Sequence, residues 1–401
     1  MLKFVKYLPG HGWLPVVVTV KDGVYYALDP DLQHQVPSAV TVVRTRSFEP
    51  LQVYRLASGR KGQLVANIGT DKKKKSKITR LFEYVRANYL IPDARKFWKP
   101  FAVRAAESLL RQQPFDAMIT TGPPHSTHLV GLHLHRRYGL PWLADFRDPW
   151  VDIFYNRFLP RTQRSKEKDR SLQQEVLASA DCITVVGDGM RAKYRAEAKR
   201  VEVLPNGFDP DDFAAPQPRN GEHFIIRYIG SYLDTEHCAT LWKALRDTAR
   251  PGTVIEMVGS IQPGALESLN AETHDLPWTH IPQVTHSEAL QRMQSAHLLL
   301  LLIPDVAHNH EILTGKLFEY IGSGTEILAI GPTQGDAARV LAQCGRKPML
   351  DYEDTEGITR QLTEARSHPV NFRYNNPQNS PFDRRHQSAR LASWLSDISA
   401  H

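Results

Sequence analysis

With 401 residues, 41% of them hydrophobic and 23% charged, the chain has room for two domains with separate cores and is neither disordered nor fibrous in composition. Its longest apolar run, residues 298–303, stops at Pro304, far short of a membrane span, and the first residues lack the apolar core of a signal peptide, so a cytoplasmic protein is expected. Three scattered cysteines, Cys182, Cys238 and Cys344, exclude a disulfide framework and a paired Cys-x-x-Cys zinc site, while a net charge of +7 favours anionic partners.

Short apolar runs and amphipathic stretches then alternate along the chain, the rhythm of βαβ units around a parallel sheet. The predicted strands are 15–20, 40–44, 115–120, 142–145, 182–186 and 201–204, with helices over 101–112, 126–138 and 165–178. Residues 206–223, rich in Pro, Asp, Gly and Asn, read as a linker. The rhythm restarts with strands at 224–229, 254–258, 298–303 and 326–330, separated by helices that begin near Cys238, Ser287 and Gly315. A final helix, about 383–398, is expected to pack back on the first domain. The fold class is α/β, with two doubly wound domains over 1–205 and 224–380; ligands of such sheets sit beyond the C-terminal strand ends, and the cleft between the domains is the expected site. A helix-like segment, 2–8, stands where a parallel sheet ordinarily opens with a strand. A strand and loop of roughly 15 to 30 residues are expected to be missing before it.

The strongest chemical signal is the stretch from Glu311 to Glu319, EILTGKLFE, between two predicted strands. Thr314 and Gly315 open a helix there, and a helix N-terminus presents free N–H groups and a positive dipole end that suit a diphosphate. Lys316 adds a point charge. Glu319, one turn in, can accept two ribose hydroxyls, with Glu311 in the loop facing a sugar; the alternative is a pair of solvated helix-end charges.

In this context the sequence resembles family 4 of the retaining glycosyltransferases, of GT-B fold, two Rossmann-like domains facing a central cleft. The segments that carry the resemblance are KFVKYLP from Lys3, TGPPH ending at His125, DFRDPW from Asp145, PNGFD from Pro205, YIGS ending at Ser231, and GKLFEY from Gly315. It implies that Glu311 lies near the donor sugar and Glu319 on the nucleotide ribose. It also implies a donor site built from Gly230, Ser231, Thr314, Gly315, Lys316 and Leu317, and a cleft histidine, His125, on a donor-sugar hydroxyl. The catalytic pair is then His125 and Glu311. Asp145, Arg147 and Asp148, at the end of a strand, bind acceptor hydroxyls or form a structural ion-pair cluster, and His125 has a helix-capping alternative.

The sequence departs from the family where members place an Arg and then a Lys to neutralise the diphosphate: from Gly230 it reads GSYLDTEH, leaving Lys316, Arg227 or His237 as substitutes. The family's first strand and glycine-rich loop are also absent before Leu2.

The basic run Lys72 to Lys75, with Lys77 and Arg80, leads into Ile78, Leu81, Phe82, Val85 and Tyr89 at helical spacing, and Arg95 to Lys99 extends it. Such a segment can lie on an anionic bilayer or be a charged loop before a core-packing helix. The pairs Asp29/Asp31 and Asp209/Asp211 match an Asp-x-Asp metal motif but fall in turn-like sequence, so no metal and no cofactor beyond a nucleoside-diphosphate sugar co-substrate is expected. Nucleic acid is not an expected partner, since no recognition motif accompanies the charge.

The function that follows is a retaining hexosyltransferase acting on a lipid-linked or polysaccharide acceptor in cell-surface glycan synthesis, cytoplasmic and peripheral on the inner face of the cytoplasmic membrane. The alternatives are a catalytically impaired nucleotide-sugar-binding protein and a sugar-nucleotide epimerase.

Overall fold

The computed structural model describes residues 1–21, 23, 29–48, 77–153, 156, 159–213, 217–218, 221–273, 276–367 and 380–400. The chain divides into two compact units, one of residues 1–30, 34–205 and 388–401, the other of residues 31–33 and 206–387.

The first unit opens with helix α1 (Leu2–Tyr7), followed by strands β1 (Val16–Val20) and β2 (Thr41–Thr45), helices α2 (Lys77–Tyr89) and α3 (Lys99–Gln112), and strand β3 (Met118–Gly122). Next come α4 (His128–Tyr138), β4 (Trp142–Phe146), α5 (Gln163–Ser179), β5 (Cys182–Val185), α6 (Asp188–Tyr194) and β6 (Val201–Val203). Strands β3-β4-β5-β6 form one parallel sheet in that order, and β1 pairs with β2 in a separate parallel ribbon. Strand β4 shows why its sequence is apolar throughout rather than alternating: it is buried on both faces. Trp142, Ala144 and Phe146 pack with Val176 and Leu177 of α5. Leu143, which points the other way, packs with Phe4 and Leu8 and with Leu391 and Leu395 of the last helix. The edges of β1 and β3 line a cavity of about 410 Å³. Its walls include consecutive residues Val16 to Thr19 and Thr120 with its neighbours; because successive side chains point to opposite faces, it runs along the strand edges.

The second unit contains β7 (Phe224–Ile229), α7 (Ala239–Thr248), β8 (Thr253–Val258), α8 (Pro263–Glu272), β9 (Trp278–Ile281), α9 (His286–Ser295), β10 (Leu298–Leu302), α10 (Gly315–Ser323), β11 (Glu326–Ile330), α11 (Asp336–Gln343) and α12 (Thr355–Ser367). The last helix, α13 (Arg384–Ser399), starts in this unit and contributes residues 388–399 to the first. The sheet is parallel with order β11-β10-β7-β8-β9. In the five-leucine strand β10, Leu298, Leu300 and Leu302 enter the cluster under α7 and α12, and Leu299 and Leu301 the one under α9, α10 and α11. All five are 0–1% exposed, each worth about 2 kcal/mol of burial, which makes this strand the spine of the unit.

The segment read as a linker begins as part of the second unit. Phe208 bridges to Asp383 in strand fashion and packs with Phe318 and Phe382. Asp209 is buried and accepts the N–H of Asp211, turning the chain into a 3₁₀ helix at Pro210–Phe213. The basic run Lys72 to Lys75, with the side chains of Asp31, Lys77, Ile78 and Phe82, lies outside the described residues. Among the described residues no helix is long and apolar enough to cross a membrane.

Candidate active site

The second sheet has a switch point. Connections from β7 run outward through β8 to β9, then the chain returns to the other side of β7 as β10. The loops after β7 and β10 therefore diverge, leaving a crevice at their strand ends. Gly230 and Ser231 follow β7; Glu311, Thr314 and Gly315 follow β10.

At the first loop the backbone is drawn unusually tight. Gly230 has φ +137° and Gly259, after β8, φ +118°, and a side chain on Gly259 would start 2.2 Å from the carbonyl oxygen of Gly230. Only a residue without Cβ fits there. Ser260 Oγ donates to Ser231 Oγ at 2.9 Å, and Ser231 O lies 2.7 Å from the Tyr228 hydroxyl oxygen.

At the second loop α10 begins at Gly315, with Thr314 at the capping position, and ends at Gly324 in the left-handed region. The Thr314 hydroxyl is buried and makes no hydrogen bond within the protein, and nothing lies within 4 Å of where a Gly315 side chain would begin. The helix N-terminus thus meets open space with its dipole unopposed by a cap. Glu319 is one-third exposed, with Oε1 3.3 Å from His286 Nε2 at the start of α9. Glu311 closes a short 3₁₀ turn that follows His308, which has φ 63°.

Two residues of this loop are engaged within the protein. Leu317 is a core residue: its side chain is fully buried among those of α9 and α11 and its N–H bonds Thr314 O at 3.3 Å. Lys316 is not a free cation. Its Nζ lies 2.9 Å from Glu236 Oε1, contacts the Tyr228 hydroxyl, and stands 4.2 Å over the Tyr228 ring. Burial lowers the ammonium pKa, opposed by Glu236. The other two substitutes for the missing diphosphate cations are likewise committed. Arg227 bonds Glu256 at 2.5 Å and the Arg292 carbonyl at 2.6 Å, and His237 sits between Glu272 at 3.0 Å and Tyr232 at 3.2 Å. Glu236 itself had no signal in the sequence: its partner is eighty positions away.

In the first unit, the loop after β3 buries the expected cleft residues. His125 is 7% exposed, stacks on Trp150 with ring centroids 5.0 Å apart, and has no hydrogen bond on either ring nitrogen. Burial pushes its pKa down to about 4, opposed only in part by the Pro149 carbonyl, which lies outside hydrogen-bonding geometry. Beside it His128 stacks on Phe146 and is held well below its usual pKa by burial and then by His125. Trp142 Nε1 donates to Thr120 Oγ1, which also shares a hydrogen bond with His128 Nδ1, 2.9 Å away. Gly122 makes room for both rings, since a Cβ there would stand 2.7 Å from His128 and 2.9 Å from His125. The next residue, Ser126, is fixed by Asp93, which accepts its N–H and its hydroxyl at 2.8 Å each.

Asp145 is 1% exposed and accepts from Thr121 at 2.9 Å, Thr184 at 2.8 Å and Arg147 at 3.3 Å, while Arg147 also donates to the Leu204 carbonyl at 2.9 Å. Of the two readings of this cluster, the structural one describes Asp145 and Arg147. Asp148 alone of the three is exposed.

Comparison with known proteins accords with this architecture. Residues 75–207 match the family described as glycosyl transferase 4-like domain. No curated protein sequence matches the chain. Among solved structures, the fold is similar to sucrose-phosphate synthase from Thermosynechococcus elongatus, with a TM-score of 0.65 at 15% identity over 99% of this chain and 92% of that one. It is similar as well to HepE of Anabaena, solved with UDP and glucose, at 0.60 and 13% over 98% and 94%. A third is WaaG, a glycosyltransferase involved in lipopolysaccharide biosynthesis, at 0.51 and 13% over 99% and 93%. Residues 75–207 thus match the model of a glycosyl transferase 4-like domain, within a chain whose fold is the GT-B fold of these solved structures.

Proposed function

We propose that the protein is a glycosyltransferase that takes its sugar from a nucleoside diphosphate bound at the strand ends of the second unit, and passes it with retention of configuration to a hydroxyl of a lipid-linked or polysaccharide acceptor in cell-surface glycan synthesis. The observation that carries the reading is the pairing of two features across the switch point. One is the close-packed Gly230–Gly259 turn after β7, and the other is the uncapped, open N-terminus of α10 with Glu319 one turn inside it. Backbone N–H groups at Gly315 and Lys316 would meet the diphosphate, Glu319 the ribose and Glu311 the sugar. With the departing phosphate accepting the acceptor's proton on the same face, positioning and fixed dipoles supply most of the rate. The test is thermal stability against nucleoside diphosphates and their sugars, beginning with UDP and UDP-glucose because HepE was solved with UDP and glucose. Binding raises the midpoint by mass action; a shift that survives Glu319→Ala refutes the assignment, and a product of inverted configuration refutes retention.

A binding protein of impaired turnover is the second reading. It is favoured by one observation: Lys316, Arg227 and His237 are all engaged inside the protein. Binding of donor without transfer to any acceptor supports it.

Peripheral attachment to an anionic bilayer has support on α2, where Leu81, Tyr84, Val85 and Tyr89 are 64%, 42%, 39% and 65% exposed. At that spacing they share a helix face. Co-sedimentation with anionic vesicles that is lost in Leu81→Ser/Val85→Ser is the expected result; equal binding to zwitterionic vesicles counts against it.

A further inference from the structure

The ion pair beneath the Gly230 turn is unusually well made for a surface so close to a ligand crevice. Glu236 is 3% exposed at its side chain and Lys316 14%. Glu236 Oε1 takes Lys316 Nζ, while Oε2 accepts the Tyr228 hydroxyl at 2.8 Å and the Leu233 N–H at 2.9 Å. The segment that carries it is tied to the loop after β10, where the Asp305 N–H bonds Thr235 O at 2.8 Å. A Cβ at Gly230 would stand 3.8 Å from Lys316 Cε and 3.9 Å from Nζ, so the pair lies directly under the turn where a phosphate would approach.

A buried carboxylate held by the Lys316 ammonium, the Tyr228 hydroxyl and the Leu233 N–H is a fixed negative charge, and a phosphate arriving at Gly230 feels it together with Lys316. The net charge that the pair offers to the phosphates is then close to zero. Recognition falls to neutral donors, the N–H groups of α10 and the hydroxyl of Ser231, which tolerate an anion without strongly favouring additional charge. A nucleoside diphosphate differs from its sugar ester in having a terminal phosphate with a second ionisation near pH 6, so at neutral pH it is the more negative of the two.

We propose that Glu236 is the residue that sets charge selectivity at this site: by holding Lys316 it makes the site take a nucleoside-diphosphate sugar while disfavouring the more negative free nucleoside diphosphate that remains after transfer. The assignment rests on the donor-site reading above. It gives a reason for burying a carboxylate against the lysine nearest the phosphates, since the same contact that weakens ground-state attraction releases the leaving group.

Isothermal titration of the full chain with UDP, UDP-glucose, uridine and inorganic pyrophosphate, comparing wild type with Glu236→Gln, tests it. The corresponding ADP and GDP series follows if the uridine compounds are silent. Removing the countercharge is expected to tighten binding of the diphosphate and of pyrophosphate about tenfold, that of the sugar nucleotide by a smaller factor, and that of the bare nucleoside not at all. The double variant Glu236→Gln/Lys316→Met, which restores charge balance by removing both partners, is expected to cancel the gain, and circular dichroism of each variant checks that it is folded. Unchanged or weaker diphosphate and pyrophosphate binding in a folded Glu236→Gln protein overturns the proposal, as does an equal gain for the nucleoside. If pyrophosphate tightens as expected but no nucleoside or nucleotide binds better than pyrophosphate, the charge assignment stands and the donor reading fails. If nucleotides bind and Glu319→Ala removes them, but Glu236→Gln leaves the diphosphate-to-sugar ratio unchanged, the donor reading stands and this proposal fails.

Discussion

The two units are built on the same plan of parallel strands with polar residues at their C-terminal ends, yet they use those residues in opposite ways. In the first unit the groups at the ends of β3 and β4 are turned on one another: Asp145 has three donors, His125 is sealed under Trp150, and His128 is bonded to Thr120. In the second the loop after β10 leaves a helix N-terminus uncapped with a carboxylate one turn behind it, beside the engaged Lys316–Glu236 pair. The same residue types at the same topological position therefore mark stability in one unit and an accessible crevice in the other. Burial and partners, rather than position in the fold, tell them apart.

The sharpest way to break this contrast is to remove Asp145. Asp145→Ala strips a buried carboxylate from two threonine hydroxyls and an arginine, which is expected to cost about 3 kcal/mol of stability. Because the loss is structural, urea denaturation should report it while nucleotide affinity in the surviving folded fraction stays as in wild type. A drop in affinity with stability intact would instead make Asp145 a ligand group.

A comparable effect is expected from acid. His125 has a folded pKa of about 4 against an ordinary 6.5, so the unfolded chain takes up the proton first and stability falls as pH drops from about 6.5 to 4. The full loss approaches about 3 kcal/mol from this ring, and His128, held neutral in the same way, adds to it. His125→Phe, which keeps a ring against Trp150, should flatten part of the acid limb of a urea-midpoint profile. An unchanged profile would mean that the loop opens and lets the imidazole ionise at little cost.

How much of this contrast was legible in the sequence depends on how local its causes are. The β10 run of leucines and the apolar β4 announce buried strands because both faces are covered. Strand β9 went unpredicted because Trp278–Ile281 lies at the edge of its sheet and exposes Thr279 and His280, leaving no apolar run to see. Gly230, Gly315 and Glu319 stand out in sequence because a turn and a helix start each impose residue types within a few positions. The partners that decide whether a charge is free do not: Glu236 is matched to Lys316, and Asp93 to Ser126, by chain returns that no local pattern encodes.

A smaller effect in free energy, though decisive for function, is expected from Glu319→Ala. The residue is one-third exposed and, among the described residues, its side chain meets His286, so its removal should change stability by less than about 0.5 kcal/mol. Nucleotide affinity should fall at least about tenfold through loss of the proposed ribose contacts. An equal loss of affinity for pyrophosphate, which has no ribose, would place Glu319 at the phosphates instead.

The finest distinction within the second unit concerns His286, whose Nε2 lies 3.3 Å from Glu319 Oε1. It begins α9, where Thr285 caps the helix by accepting the Glu288 N–H at 3.2 Å, so the ring is placed by a fixed helix end rather than by a flexible loop. A donor held on one carboxylate oxygen restricts the rotation of Glu319 and leaves its other oxygen for a ligand. Replacing the histidine with alanine is expected to weaken nucleotide binding about threefold, the scale of one lost orienting hydrogen bond, while His286→Gln, which keeps an N–H within reach, should recover most of it. If alanine and glutamine weaken binding equally, the histidine acts through its charge on Glu319; if neither does, the carboxylate is positioned by α10 alone, and the contrast between the units rests on the helix N-terminus by itself.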